Sequence, residues 1–289
     1  MSKQNNIKQT LRNSRLAPSK ERGQNFLVNP AISEAIIAKA GVTGEDTIVE
    51  LGVGLGAVTI PLAAKAREVI GIELDKGIVE WHQEQKILPS NVTLIHQDLL
   101  KTDFREISAR IGGKLKIIAN LPYSISNPLI FKLIENRDIM EYAVLMLQKE
   151  VGQRLQASPG TKVYGVLSVL LAACASTKII MEVGPEQFHP RPKIDSVVTR
   201  ILFDPPPLRV REMPNHDPAL LKKAVNAAFQ QRRKTLFNSL SSSGIANTDK
   251  KMLKVVLEKA GIDPKVRPEK LSVEEFVRLV NTIQDPDSG

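Results

Sequence analysis

The 289-residue chain combines 42% hydrophobic residues with a net charge of +9 and a single cysteine, enough apolar material for one large domain plus a smaller one. Cys174 alone excludes an intrachain disulfide, and His82, His96, His189 and His216 show no metal-ligand spacing. No apolar run approaches the length of a membrane span and the N-terminus is polar and basic, so we expect a cytoplasmic protein without a metal or a membrane partner; a monomer is the expected state, although nothing in the sequence fixes it.

The positive charge is concentrated. Residues 1–23 carry Lys3, Lys8, Arg12, Arg15, Lys20 and Arg22 against Glu21, a net +5. Residues 219–240 carry Lys222, Lys223, Arg232, Arg233 and Lys234 with no acid, another +5, which leaves −1 for the rest. Two basic stretches on a near-neutral body suit a polyanionic partner, nucleic acid first. Plain solubilising charge is the competing reading.

Residues 1–22 lack periodicity and read as a basic arm. Gly23-Gln-Asn-Phe-Leu27 leads into Asn29-Pro30, a cap with proline in the first turn, and a helix over Ala31–Ala40 that stops at Gly41. Asn25 and Phe26 fit an anchor for that turn. Thr47–Leu51 is a short apolar strand, followed by Gly52-Val-Gly-Leu-Gly56 and an alanine-rich helical stretch over Ala57–Ala66. A glycine loop between strand and helix lets the backbone approach a ligand closely at the helix N-terminus. The next strand, Glu68–Leu74, carries Glu73 at 21 positions after Gly52, where a carboxylate accepts from ribose hydroxyls. Gly52, Gly54 and Ala57 also fit a dinucleotide fingerprint, and a tight turn alone would use the same glycines. A third strand, Asn91–His96, delivers Asp98, suited either to accept from an adenine amino group or to cap the following turn.

A strand through Ile117 and Ile118 then meets Asn120-Leu-Pro-Tyr123, and Asn127-Pro128 reads as the start of the next helix. In open α/β sheets ligands sit outside the carboxyl ends of strands, so this tetrapeptide should face the crevice. Pro122 fixes its own φ and pushes Leu121 into an extended conformation. The Asn120 amide oxygen and the Leu121 carbonyl accept hydrogen bonds while Tyr123 offers a flat face. That combination suits an amino group on a planar base; a proline turn with a half-buried tyrosine would look the same.

A fifth strand, Glu141–Leu147, runs into Gln148-Lys-Glu150 and a helix, and Leu167–Ala175 reads as a buried helix. Strands Lys178–Val183 and Ser196–Phe203 flank a proline-stiffened loop that presents Phe188, Arg191 and Lys193, with Phe188 serving equally well as a loop anchor. The whole pattern is α/β, a doubly wound sheet with an antiparallel edge hairpin. Asp204-Pro-Pro-Pro207 marks a linker, and helical segments near 218–230, 233–241, 249–260 and 273–283 form a small C-terminal all-α domain.

Taken together, Gly-Gln-Asn-Phe-Leu at 23–27, Glu50-Leu-Gly-Val-Gly-Leu-Gly56, Glu73, Gln97-Asp98, Asn120-Leu-Pro-Tyr123, Leu147-Gln-Lys-Glu150 and Phe188-His-Pro-Arg-Pro-Lys-Ile-Asp-Ser196 resemble the ribosomal RNA adenine N6,N6-dimethyltransferase family. The match runs from Gly23 to about Phe203. The long helical tail makes the chain look like that family's small-subunit enzymes, rather than its macrolide-resistance methylases. Val53 stands where the family often has proline and Ser124 where it often has asparagine; neither change removes a catalytic atom.

The resemblance implies a Rossmann-like methyltransferase domain over 23–203, between the arm of 1–22 and a linker and helical RNA- or ribosome-binding domain over 204–289. It implies S-adenosylmethionine as cofactor, held by Asn25, Leu27, Gly52, Gly54, Glu73, Asp98 and Asn120. Asn120, Leu121, Pro122, Tyr123 and Phe188 would form the catalytic centre, with Tyr123 and Phe188 on the faces of the target adenine. The implied substrate is 16S ribosomal RNA within the small subunit, gripped in part by Lys222, Lys223, Arg232, Arg233 and Lys234. A DNA adenine methyltransferase usually begins its tetrapeptide with Asp. A dinucleotide oxidoreductase leaves Asn120–Tyr123 unexplained, and a non-enzymatic ribosome-assembly factor would not need Glu73, Asp98 and Asn120.

Overall fold

Short runs rich in Val, Ile and Leu, buried on both faces, form the central strands of a seven-stranded sheet. The computed structural model describes residues 24–120, 122–231, 233–243, 245 and 250–285. The expected basic arm over 1–22, Leu121 and Arg232 lie outside the described residues. In chain order the strands are β1 (Phe26–Leu27), β2 (Thr47–Leu51), β3 (Glu68–Glu73), β4 (Val92–His96), β5 (Leu115–Asn120), β6 (Met140–Gln148), β7 (Ser176–Val183), β8 (Phe188–His189) and β9 (Ser196–Leu202). The large sheet runs β4-β3-β2-β5-β6-β9-β7. The contacts from β4 through β6 are parallel, and β9 is antiparallel to β6. The chain therefore winds outward from β2 in one direction and from β5 in the other, which puts the topological switch point between those two strands.

Helices α1 (Pro30–Ala40), α2 (Thr59–Ala63), α3 (Lys76–Gln85), α4 (Phe104–Ile111) and α5 (Ser126–Glu135) connect these strands. Several are fixed by local chemistry. Asn29 caps α1 with Pro30 in its first turn, and Gly41 closes it in the left-handed region at φ 73°. Asp75 and Asp103 cap α3 and α4 through two backbone amides each. The expected cap at Asn127 does not form. A 3₁₀ turn over Tyr123–Ile125 feeds α5 at Ser126, so Asn127 and Pro128 fall inside the first helical turn, where proline forfeits no intrahelical donor.

The remaining helices are α6 (Lys149–Leu155), α7 (Val166–Ala172), α8 (Leu208–Glu212), α9 (Pro218–Phe229), α10 (Leu236–Ser241), α11 (Lys250–Lys259) and α12 (Val273–Gln284). The chain divides into two compact units, one of residues 1–152 with 178–205 and the other of 153–177 with 206–289. The boundaries expected at 203 and 204 are thus corrected at one place: residues 153–177 belong with the helical tail. Helix α7 buries Leu167, Val169, Leu170 and Leu171 and packs on α9 and α12. Tyr164 donates to the Leu271 carbonyl at 2.9 Å, Phe229 packs edge-on to Tyr164, and Phe276 stacks on Phe229. This unit holds 17 Lys and Arg against 10 Asp and Glu, a net +7 of the chain's +9. Among the described residues no helix is long and apolar enough to cross a membrane.

Candidate active site

At the carboxyl ends of β2, β3 and β5 the backbone must turn out of the sheet, and a cleft opens there. Gly52, Gly54 and Gly56 have φ values of 82°, 52° and 81°, a left-handed geometry that side chains resist, so glycine is what allows the loop after β2 to turn so tightly. A Cβ on Gly54 would stand 3.3 Å from the Phe26 ring. Phe26 comes from β1, which pairs antiparallel with β8 and carries Asn25 and Leu27 to the same cleft wall.

The cleft brings together residues distant in sequence. Asn25, Leu27, Gly52, Gly54, Glu73, Asp98, Asn120 and Pro122 all line it. Its empty volume is about 1140 Å³ including the open mouth. Glu73 is buried at the end of β3, and its two carboxylate oxygens accept from the Gly54 and Asp75 backbone amides, each at 2.9 Å. The carboxylate therefore ties the glycine loop to β3 and still has lone pairs for further donors. Asp98 caps the following turn, its side chain accepting from the Leu100 amide at 2.9 Å, and the residue also lines the cleft. The Asn120 amide nitrogen donates to the Asn25 carbonyl at 3.4 Å, which leaves its oxygen to accept from a ligand.

Two expected catalytic residues, Tyr123 and Phe188, are not among those lining the cleft. Tyr123 is half-buried beside the cleft and its hydroxyl is 2.9 Å from that of Ser196, with burial raising the phenol above its ordinary range. Phe188 is only 5% exposed and belongs to the core cluster of Leu27, Ile36 and Ile37. The ring anchors β8 against β1, the loop-anchor role that its sequence position also suited.

One cleft residue had no role in the sequence reading. Glu50 in β2 is 1% exposed, lines the cleft, and its Oε2 lacks a hydrogen-bond partner. Burial pushes this carboxyl up to about 8, against the neighbouring Thr59 hydroxyl and with help from the Glu73 charge. The signal in the sequence was a lone acid inside an otherwise apolar strand, Thr-Ile-Val-Glu-Leu. A carboxyl buried in a cleft with an unpaired oxygen fits a cationic ligand group.

Residues 17–285 match the ribosomal RNA adenine dimethylase family. The chain belongs to that family. A ribosomal RNA small subunit methyltransferase A from Desulfotalea psychrophila is 50% identical, over 98% of this chain and 97% of the relative. One from Clostridium botulinum is 41% identical over 92% and 94%. The crystal structure of a dimethyladenosine transferase from Plasmodium falciparum superposes with a TM-score of 0.74 at 27% identity, covering 90% of this chain and 97% of that one. The fold is that of a Rossmann-like methyltransferase, and as a ribosomal RNA adenine dimethylase the protein is a methyl-transferring enzyme.

The basic residues assigned to RNA divide by environment. Lys222 and Lys223 lie on α9, while Arg233 and Lys234 are exposed in the turn before α10 instead of on a helix.

Proposed function

We propose that this dimethylase transfers methyl groups from S-adenosylmethionine to N6 of two adjacent adenosines near the 3′ end of 16S ribosomal RNA in the immature small subunit, giving N6,N6-dimethyladenosine. The observation that carries the reading is the convergence of Asn120 with Glu73, Asp98 and the Gly52–Gly56 loop on one cleft at the switch point. A family chain that keeps all four features supports the methyl donor as cofactor.

The cleft fits that cofactor chemically. Glycine backbone admits close approach, Glu73 and Asp98 offer carboxylate acceptors for hydroxyl and amino groups, and the buried Glu50 offers a counter-charge for a cation. When bound, the cofactor supplies an electrophilic methyl group on a sulfonium. The protein's own residues do the rest by positioning. The N6 lone pair of adenine is delocalised into the ring, and an acceptor such as the Asn120 oxygen draws on an N–H and favours a more tetrahedral, nucleophilic nitrogen. Alignment for in-line attack then supplies much of the acceleration. In this reading Tyr123, beside the cleft, holds a base face once the adenosine has left its stack. The Leu121 carbonyl is the second acceptor in this scheme.

The net +7 of the helical unit supports RNA as the partner, with Lys222, Lys223, Arg232, Arg233 and Lys234 as phosphate contacts. The relatives named for the small subunit support the choice of 16S RNA. The test is to incubate the protein with labelled S-adenosylmethionine and small subunits from a strain lacking the modification. Label should enter 16S RNA as N6,N6-dimethyladenosine, and subunits that already carry it should take up none.

A further inference from the structure

Gly54 is held at both poles of its backbone. Its N–H donates to Glu73 Oε2 at 2.9 Å, and its carbonyl oxygen lies 2.7 Å from His82 Nε2. A carbonyl can only accept, so the imidazole proton sits on Nε2. His82 is 2% exposed on α3 and is not among the cleft-lining residues. Its ring also backs the loop at a second point, since a Cβ on Gly56 would stand 3.5 Å from His82 Cε1. The other ring nitrogen, Nδ1, is buried without a hydrogen-bond partner. The site thus accommodates a buried polar ring whose one formed bond is to the loop carbonyl.

Glu73 is one clamp on the loop and lines the cleft. His82 is the other, and it acts from behind. At φ 52° Gly54 occupies one of several backbone regions open to glycine at little cost, so its contacts, more than its own preference, select the loop's shape. The two contacts fall on the two peptide units that flank the Gly54 Cα, so release of the carbonyl would free the Gly54–Leu55 peptide to rotate about ψ while Glu73 still held the Val53–Gly54 unit. The next residue to His82, Trp81, packs edge-on to it at 4.8 Å and rests against Phe26, Leu55 and Ile78, of which Phe26 and Leu55 line the cleft.

We infer that His82 is a positioning residue for cofactor binding, holding the Gly54–Leu55 peptide so that the glycine loop keeps the shape the cofactor requires. The inference rests on the reading of the cleft as the S-adenosylmethionine site. It acts entirely through Gly54, so the imidazole need not touch the ligand.

Titration calorimetry with S-adenosylhomocysteine tests it on the full chain as wild type, His82→Leu and His82→Gln, each with its melting temperature. Leucine should weaken binding about tenfold, the weight of one well-made hydrogen bond. Glutamine, whose amide N–H can reach the same carbonyl, should recover most of that loss. A leucine variant that binds like wild type, or a glutamine variant no better than leucine at matched stability, overturns the inference. Silence from the wild type itself would instead overturn the cofactor assignment, and this inference with it. Should leucine fail to fold, nitrogen-15 imidazole spectra of the wild type decide: the Nε2–H tautomer with its proton further protected from exchange by S-adenosylhomocysteine supports the role. The Nδ1–H tautomer, or no change in protection, refutes it.

Discussion

The Tyr123 hydroxyl lies 2.9 Å from the Ser196 hydroxyl, joining the 3₁₀ turn after β5 to the first residue of β9. Ser196 is fully buried, so this bond fixes a ring at the cleft's edge to the sheet itself. Tyr123→Phe and Ser196→Ala should each slow methylation by the several-fold that one neutral hydrogen bond commands, about 0.5–1.5 kcal/mol. The double variant should be no slower than the worse single one, as residues sharing one interaction are non-additive. Full additivity in a double-mutant cycle would show that the two hydroxyls act separately.

Asn120→Ala should cut the rate of methyl transfer by about 10²–10³, the scale for losing one preorganised polar contact at the reacting centre. Cofactor affinity should fall only modestly. Single-turnover rates measured alongside calorimetry separate the two effects, and near-normal turnover would remove Asn120 from the catalytic centre.

Glu73→Ala should act on binding. Loss of hydrogen bonds from a charged group costs about 1.5–3 kcal/mol of cofactor affinity. Because the carboxylate also satisfies the Gly54 and Asp75 amides, a lower melting temperature of the free protein should accompany the loss. An unchanged titration curve would mean that the cofactor lies elsewhere.

Glu50 gives a pH dependence with a definite sign. Burial pushes its carboxyl up to about 8 in the folded protein from an ordinary 4.5, so the folded state holds an extra proton between those limits. Stability from this group is fully present below about 4.5 and is lost as pH rises toward 8. Binding of a cationic ligand beside it favours the ionised form, so cofactor affinity should rise with pH over the same window and release a proton. Calorimetry in buffers of different ionisation enthalpy reads that proton directly. Glu50→Gln should flatten both trends, and persistence of the slopes in that variant would assign them to another group.

Replacing Arg232, Arg233 and Lys234 by Ala should weaken binding to small subunits and flatten its salt dependence by about 0.7–0.9 per charge removed. Deleting residues 1–20 should do likewise. S-adenosylmethionine titrations should stay as they are. Unaltered salt slopes in both variants would reduce these charges to a solubilising role and shift attention to Arg191 and Lys193.

The parallel core was legible because β2, β3 and β5 are nearly continuous apolar runs bounded by Gly, Asp and Pro. The cleft residues were legible because glycine with positive φ and strand-end carboxylates leave fixed spacings. Helices α3 and α4 escaped notice, since Lys, Glu, Gln and Arg dominate them and their apolar stripes are thin; their Asp caps were the available signal. No local pattern announces a two-residue strand such as β1 pairing with β8 across most of the domain, and that pairing is what sends Phe188 into the core. The partner of α7 was equally hidden. An apolar helix demands cover without saying which later segment provides it.

That two-segment construction of the helical unit has a consequence for synthesis on the ribosome. Residues 153–177 leave the exit tunnel well before α9 and α12, against which α7 packs. For that interval the Leu167–Leu171 face lacks its final cover, so the nascent chain carries an aggregation hazard that ends only when the C-terminal helices emerge. A fragment stopped at the Asp204 linker would keep that hazard permanently, which makes the visible proline linker a poor place to cut.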